Sequence, residues 1–260
     1  MKKTLFLLTC LLGALTVSAQ KESGATKAGK MLFNHWSIGL DVGTPGIGAD
    51  IATTCTDYLQ IRAGFAIFPK VTYDRVLKLK DSNGNLPPAI LNLPSEVNTQ
   101  GKANLSHGDV LLSVYPFRST RVPVAVTLGA YFGTSDIINL KNTDAFTPEQ
   151  MAVIENGNWG LGLDNYRLPF KDGQSTLTMR VNKFRPYAGL SFGRAVPKNK
   201  RVGFMMDLGV MMWSTPEVKD SNDKSLTKND VGEEAGKVID IVRKFSVYPV
   251  LNFRINGRFF

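Results

Sequence analysis

The feature that most constrains this chain is a two-residue alternation of apolar and other side chains in eight short segments. Side chains along a β-strand point alternately to its two faces, so this period predicts strands rather than helices. After residue 19, no stretch approaches the ~20 consecutive apolar residues that a membrane helix requires. The predicted strands cover residues 36–42, 47–54, 59–67, 109–115, 122–132, 184–193, 202–212 and 245–256.

The two faces of the predicted strands differ in chemistry, since one is aliphatic or aromatic and the other carries glycine, small polar and charged residues. This alternation fits a soluble barrel or sandwich with an apolar interior, and equally a membrane barrel with an apolar exterior. The connectors favour the membrane barrel, because short turns and long outer loops are typical of outer-membrane barrels. Short connectors lie at residues 44–46, 55–58, 118–121 and 197–200, and long ones at 69–103, 133–175 and 214–244. The sequence predicts an all-β fold, an antiparallel up-and-down transmembrane β-barrel of about eight strands, with short periplasmic turns and long extracellular loops.

The N-terminus has the pattern of a secretory signal peptide. Lys2 and Lys3 precede an apolar run, and a small-residue cleavage site follows at residues 17–19. We expect a signal peptide over 1–19, a lead-in segment over 20–34 and an outer-membrane barrel domain over 35–260. Cys10 lies inside the apolar run and is not expected to be lipidated, because the residue before it, Thr9, is poorly suited to a lipoprotein cleavage site. The exported chain keeps 29 basic and 22 acidic side chains, a net charge of +7.

Two helices are predicted within the long connectors. Thr147, Pro148 and Gly157 have the pattern of an N-cap, a first helical residue and a C-terminal glycine. Residues 230–243 have the pattern of an amphipathic helix before the last strand, although two internal glycines weaken it. An extra hairpin arm at residues 71–79 is an alternative that leaves the strand number open by two.

The inward face of the predicted barrel combines four carboxylates with four guanidinium groups. An unpaired charge in a narrow lumen would cost several kcal/mol, so we expect ion pairs and hydrogen bonds that fill the lumen. The interior of an eight-stranded barrel is just wide enough for side chains, which predicts a plugged lumen and no aqueous pore. A polar channel or an ionic ligand site is the alternative for the same residues. The expected network consists of Asp41, Asp50, Arg62, Asp109, Arg185, Asp207, Arg254 and Arg258.

The sequence predicts neither enzyme activity nor a metal or other cofactor. Its two histidines, His35 and His107, are not in a metal-binding spacing, and Cys55 stands alone once the signal is removed. Ser106 precedes His107, but adjacent residues of a strand point to opposite faces, so the histidine is badly placed to activate the hydroxyl. Two alternatives stay open. One is an outer-membrane lipid-modifying enzyme, which requires a histidine to converge with a serine and a carboxylate; the other is a soluble periplasmic lipocalin-like barrel that binds a hydrophobic ligand.

The final segment, SVYPVLNFRINGRFF, is a strand that ends on aromatic residues. It resembles the C-terminal targeting strand of bacterial outer-membrane β-barrels, with Phe259 in phase with the apolar set and Phe260 following it. Together with VLLSVYPF and KFRPYAGLSFGRAVPK, it resembles a group of outer-membrane barrel proteins from the Bacteroidota, most of them without an assigned role. The resemblance implies a small eight-stranded barrel that contacts the barrel assembly machinery during insertion. It does not choose among anchor, adhesin and lipid-modifying enzyme.

The long outer loops are the expected working surface of a non-enzymatic barrel in the cell outer membrane. Trp159 and Tyr166, in the longest connector, are the candidates for an exposed contact surface. Outer-membrane lipid is the expected surrounding of the barrel. Basic loop residues such as Lys70 would meet the phosphates of a surface glycolipid or another extracellular ligand, although ordinary solubility is the simpler account of their charge. Export makes nucleic acid an implausible partner.

Overall fold

The computed structural model describes residues 33, 35–81, 83–88, 91–117, 123–198 and 200–259. These residues all belong to one compact unit, Phe33–Phe260. The predicted signal peptide, nearly all of the lead-in segment and the terminal Phe260 lie outside the described residues.

Eight strands close into an antiparallel barrel in which each strand pairs with the barrel strands before and after it in the chain. The barrel closes between its first and last strands, where Leu40 lies opposite Ile255. Numbered together with the strands of the connectors, the barrel strands are β1 (Trp36–Gly43), β2 (Gly46–Thr56), β3 (Leu59–Ile67), β6 (His107–Val114), β7 (Val124–Gly133), β12 (Phe184–Gly193), β13 (Val202–Met212) and β16 (Val247–Arg258). The predicted all-β, antiparallel, up-and-down barrel of eight strands is therefore confirmed, with strand ends within about two residues of the predicted ones.

The apolar rows of the barrel strands face outward. Leu40 is 68% exposed and Ile255 is 61% exposed, whereas the inward Asp207 and Arg185 are 1% and 0% exposed. Side chains alternate along a strand, so once the apolar side chains of a strand are known to face outward, the residues between them must face the lumen. The arrangement is that of a membrane barrel and the reverse of a lipocalin-like barrel with an apolar interior.

The three long connectors leave the same end of the barrel and fold into a second sheet, which together with two helices we call the cap (residues 69–106, 134–183 and 213–246). Its strands are β4 (Val71–Lys80), β5 (Glu96–Ala103), β8 (Asp136–Asn142), β9 (Gly160–Leu163), β10 (Tyr166–Pro169), β11 (Thr176–Arg180), β14 (Glu217–Lys219) and β15 (Ser225–Leu226). The strand order is β10-β9-β4-β5-β8-β11-β14-β15. The first connector's hairpin, β4-β5, therefore lies between strands of the second connector, an arrangement that the sequence did not predict.

Both predicted helices are present in the cap as α1 (Pro148–Asn156) and α2 (Glu233–Lys244). The hydroxyl of Thr147 accepts from the backbone N–H of Gln150, and the Gln150 side chain accepts from the backbone N–H of Thr147. This capping box satisfies two backbone donors at the start of α1. Gly232 is the N-cap of α2 and so does not interrupt the helix. Neither described helix is long and apolar enough to cross a membrane.

The cap has an apolar core of its own, built from one face of the sheet and from both helices. Its buried members are Leu77, Leu79, Leu93, Val97, Ile154, Trp159, Leu161, Leu168, Val218, Leu226, Val231 and Ile239. They come from all three connectors, so each connector contributes part of a shared core. The long connectors are thus parts of one folded structure rather than separate loops.

Candidate functional site: the barrel lumen and the cap

Two buried ion pairs cross the lumen. Arg62 Nη2 lies 2.7 Å from Asp207 Oδ2, and the two side chains are 3% and 2% exposed. Arg254 binds the carboxylate of Asp50 through both Nε and Nη2, and their side chains are as completely buried. Ser191 donates a further hydrogen bond to Asp207. Such charge-assisted contacts, of which the Arg254–Asp50 pair is bidentate, compensate for the loss of hydration that burial of a charge entails.

A glycine on β1 makes room for one of these pairs. The guanidinium of Arg254 lies against Gly39, and a Cβ atom at that position would collide with it. The absence of a side chain at Gly39 therefore allows the arginine to cross the lumen to Asp50.

Two further carboxylates lie in the lumen at the end nearer the cap. Asp41 accepts a weak hydrogen bond from Asn252, at 3.4 Å. Asp41 and Asp109 line, together with Arg62 and His107, a cavity of about 20 Å³. A space of this size holds about one water molecule, and it is far smaller than an aqueous channel.

Two of the eight expected network residues bind main-chain oxygens instead of carboxylates. Arg185 donates to the carbonyl groups of Asn182 and Thr134, at the cap end. Arg258 donates to the carbonyls of Pro197 and Lys198, at the opposite end. Both arginines lie near the ends of their strands, where turns bring carbonyl groups within reach. Among the described residues, the structure brings neither of them into an ion pair.

The turn between β12 and β13 folds back into the lumen, and we call residues 194–198 of this turn the plug. Ala195 and Val196 are 0% and 2% exposed. Gln60 holds the plug at both polar groups of Val196: its amide nitrogen donates to the carbonyl and its amide oxygen accepts from the N–H, each at 3.1 Å. The carbonyl of Ala195 accepts from Ser37 and Arg254, both at 2.7 Å. Ala195 and Val196 of the plug are therefore held inside the lumen, at the end of the barrel that faces away from the cap.

The plug was not predicted from the sequence, because the length of a short turn does not indicate whether the turn folds into the lumen or away from it. One signal was present: two small apolar residues, Ala195 and Val196, interrupt a turn that otherwise carries Arg194, Lys198 and Lys200. Apolar residues in a basic turn indicate burial rather than exposure.

The histidines do not assemble a catalytic set. His107 is 3% exposed; its Nδ1 contacts the carbonyl of Leu105 at 2.8 Å, and its ring packs edge-on against Tyr131. The neighbouring Ser106 hydroxyl instead accepts from the backbone N–H of Phe68. In the part of the chain that the structure describes, neither histidine hydrogen-bonds a serine or a carboxylate, and no cluster of three or more His, Cys, Asp or Glu side chains could hold a metal ion.

Trp159 and Tyr166 do not form the exposed contact surface that the sequence predicts. Trp159 is only 8% exposed and belongs to the cap core, so its prediction as an exposed contact residue is wrong. The ring is drawn into the core because the connector around it pairs as strand β9 with β4. Tyr166 is half-buried, and its hydroxyl donates to Asp220 at 2.7 Å. Burial and this carboxylate raise the pKa of the Tyr166 phenol.

A basic recess of about 1050 Å³ lies where the barrel strands continue into the cap. Three lysines line it, Lys70, Lys102 and Lys183, together with amide and hydroxyl side chains. All three lysines are exposed, and none of them forms an ion pair with another described residue. The carboxylate in the recess, Asp136, is bound by Arg180 at 2.8 Å, which lowers the pKa of Asp136. The uncompensated charge of the recess is therefore positive.

No family model matches the chain, and no curated protein matches it in sequence. The resemblance to barrels of the Bacteroidota stays a prediction.

Several solved structures are similar to the chain. The crystal structure of Acinetobacter baumannii CarO2 matches with 14% identity and a TM-score of 0.48, covering 88% of this chain and 100% of that one. Acinetobacter baumannii CarO matches with 15% identity and a TM-score of 0.47, covering 90% and 100%. A major outer membrane protein from Thermus thermophilus matches with 15% identity and a TM-score of 0.34, covering 86% and 98%. Likeness at this level carries no argument about what this chain binds or does.

Proposed function

We propose that this protein is a non-enzymatic barrel of the outer membrane, with a sealed lumen, that presents the cap at the cell surface. The observation that carries the proposal is the inversion of the barrel: apolar side chains cover its outside while arginines and aspartates pair inside. In water this arrangement would expose apolar rows all around the barrel, whereas a bilayer provides them with acyl chains.

The dimensions of the barrel support a membrane-spanning role. Its strands contain 8–12 residues, and a tilted transmembrane strand needs ~9–11. Exposed aromatic residues lie near both ends, Phe132 and Phe184 at the cap end and Phe117 and Phe259 at the other. Aromatic side chains at two levels are typical of the two membrane interfaces. The position of Phe259 also supports contact of the last strand with the barrel assembly machinery.

Three features of the lumen support our proposal of an anchor rather than a channel. Ion pairs fill the middle, the plug fills one end, and the cavity among Asp41, Asp109 and His107 is about 20 Å³. An eight-stranded barrel has little free interior even without a plug. The buried position of His107 and the separate bonding of Ser106 speak against the lipid-modifying alternative.

Reconstitution tests this proposal. We expect the purified protein to float with phosphatidylcholine liposomes and to resist extraction by carbonate. In planar bilayers it should give no ion-conducting steps under conditions where a porin, inserted in parallel, gives them. Regular conductance steps would contradict the sealed lumen, and recovery in the detergent-free supernatant would contradict the membrane location.

We further propose that the basic recess binds a phosphorylated headgroup, as in a surface glycolipid. Three lysines without ion pairs surround a space that also offers hydroxyl and amide groups, such as those of Thr134 and Asn139. Lysine ammonium groups bind phosphate as point charges, and neighbouring hydroxyl and amide groups can hydrogen-bond sugar oxygens. The recess lies at the barrel rim, the level at which a bilayer would place its headgroups.

Calorimetric titration with glucose 1-phosphate tests the recess. The triple variant Lys70→Gln/Lys102→Gln/Lys183→Gln should bind at least about tenfold more weakly, since each lysine near an anionic surface contributes about 1 kcal/mol. A matched control removes the same charge elsewhere on the cap, at Lys78, Lys141 and Lys171. Equal binding by the two triple variants would show that net charge, not the recess, attracts the anion.

A further inference from the structure

An apolar cleft of about 740 Å³ lies between α2 and the cap sheet. We propose that it holds one acyl chain of a lipid from the bilayer leaflet beneath the cap. The inference rests on the proposed membrane location and adds a specific lipid site to it. The volume is within the range of ~300–1,000 Å³ that small-molecule sites occupy.

The walls of the cleft are mostly apolar, although four charged residues also line it: Arg75, Lys102, Asp164 and Glu234. Leu140 of β8, Leu177 and Met179 of β11 and Val218 of β14 form the sheet side, and Ile239 of α2 covers them. On the same sheet face, farther from the barrel, the cap core is closed. The cleft is therefore the part of the apolar face that the cap leaves uncovered, at its barrel-proximal end.

One side of the cleft is continuous with the lipid-facing surface through β3 and β4. Ile67, the last residue of β3, faces outward and is 58% exposed. Val71 and Tyr73 follow on β4, line the cleft and are themselves largely exposed. Among the described residues, this edge of β4 pairs with β9 only at Leu79 and Lys80, and no described strand lies beside its barrel-proximal half. A chain can pass from the barrel wall into the cleft along apolar side chains alone.

The other side is continuous with the barrel through α2. Val247 of β16 faces outward, and before it Phe245, Ile241 and Val238 form an exposed apolar stripe up the helix to the cleft. These side chains are 45–60% exposed. Two rows of exposed apolar side chains, one along β4 and one along α2, thus lead from the outer surface of the barrel to the same cleft. This arrangement favours an occupant that comes from the bilayer. Arg243 and Lys244 lie in the last turn of α2, at its barrel end.

Photo-crosslinking in a bilayer tests the site. The protein is reconstituted into phosphatidylcholine liposomes that contain a phosphatidylcholine with a diazirine at the end of one acyl chain, and adducts are mapped by mass spectrometry after illumination. We expect adducts at Leu140, Leu177 and Met179 as well as on the barrel wall at Leu208 and Leu128. Both wall residues are outward-facing and exposed.

Filling the cleft should remove only the first group of adducts. Gly101 lines the cleft, and a Cβ there would make ordinary contacts of 3.5 Å and 3.6 Å, so the Cβ of Gly101→Leu fits without a clash and its side chain takes up space in the cleft. Cleft adducts should fall about tenfold, because exclusion of even two methylene groups from an apolar site has about that effect. The control, Lys141→Leu, adds the same side chain to the opposite face of the sheet and should change nothing. Unchanged resistance of the cap to limited proteolysis confirms that the cap of both variants is folded.

The outcomes separate this inference from the proposed function. Adducts at the wall and in the cleft, with the cleft adducts lost in Gly101→Leu alone, support the site. Adducts confined to the wall overturn the site and leave the membrane location intact. Adducts at neither place overturn both. Cleft adducts that persist unchanged in Gly101→Leu also overturn the site, because the cleft would then not be what holds the chain.

Discussion

Breaking one lumen ion pair should destabilise the barrel far more than removing the whole pair. At an effective dielectric constant of ~20, unit charges ~4 Å apart attract by about 4 kcal/mol. Arg62 and Asp207 are 3% and 2% exposed, so the partner left behind would be charged, buried and uncompensated. Removing one member of such a pair costs about 3–5 kcal/mol. We expect Asp207→Leu and Arg62→Met each to lower the free energy of unfolding by about that amount.

The double variant Arg62→Met/Asp207→Leu should cost less than either single change, because an apolar pair of similar size needs no charge compensation. The free energy of unfolding is measured for the unmodified protein, the two single variants and the double variant by urea unfolding in detergent micelles. Unfolding is monitored by the mobility shift of unheated samples on gels. Arg180→Met is the exposed control: its pair with Asp136 has side chains 36% and 42% exposed and should contribute about 0–1 kcal/mol. If the double variant loses the sum of the two single losses, the charges do not compensate each other and our account of the lumen is wrong.

Three further predictions concern single positions. Gly39→Val should lower barrel stability by about 1–3 kcal/mol or more in urea unfolding, because its side chain occupies the space of the Arg254 guanidinium. Trp159→Ala should destabilise the cap by about 3–5 kcal/mol, seen as faster proteolysis of the cap, while the barrel keeps its heat-modifiable mobility. The hydroxyl and backbone N–H of Thr227 lower the pKa of Asp230 to about 2, so this carboxylate stabilises the cap fully above about pH 4 and progressively less as the pH falls towards 2. Asp230→Asn should therefore weaken the cap at neutral pH and flatten its acid unfolding between pH 4 and 2, measured by near-ultraviolet circular dichroism; an unchanged acid profile would contradict this.

The barrel was predictable from sequence because each of its strands carries a complete local signal. In β13, Phe204, Met206 and Leu208 alternate with Met205 and Asp207, and a strand of 11 residues repeats the pattern several times. The two faces then follow from the alternation alone. Helix α1 was predictable for a similar reason, since its capping residues lie within the helix sequence or directly beside it.

The cap sheet lacks such a signal. Strand β5 reads EVNTQGKA, with only Val97 as a large apolar residue, and β15 contains two residues. These strands are stabilised by pairing with partners far along the chain, such as Gln100 opposite Lys141. The basic recess was missed for the same reason, because Lys70, Lys102 and Lys183 converge only through that pairing. Non-local pairing leaves no periodic trace in a single short segment.

The interleaving of the cap strands limits the order in which the cap can fold and the sequence changes that it can tolerate. Because β9 and β8 flank the hairpin β4-β5, no long connector can complete its hydrogen bonds until another has reached the same end of the barrel. Assembly of the sheet must therefore bring together residues that are far apart in the chain, such as Leu79 and Leu161. For the same reason, grafting a foreign epitope in place of one connector would unravel its neighbours, so insertions are best tolerated at hairpin tips, such as residues 83–85.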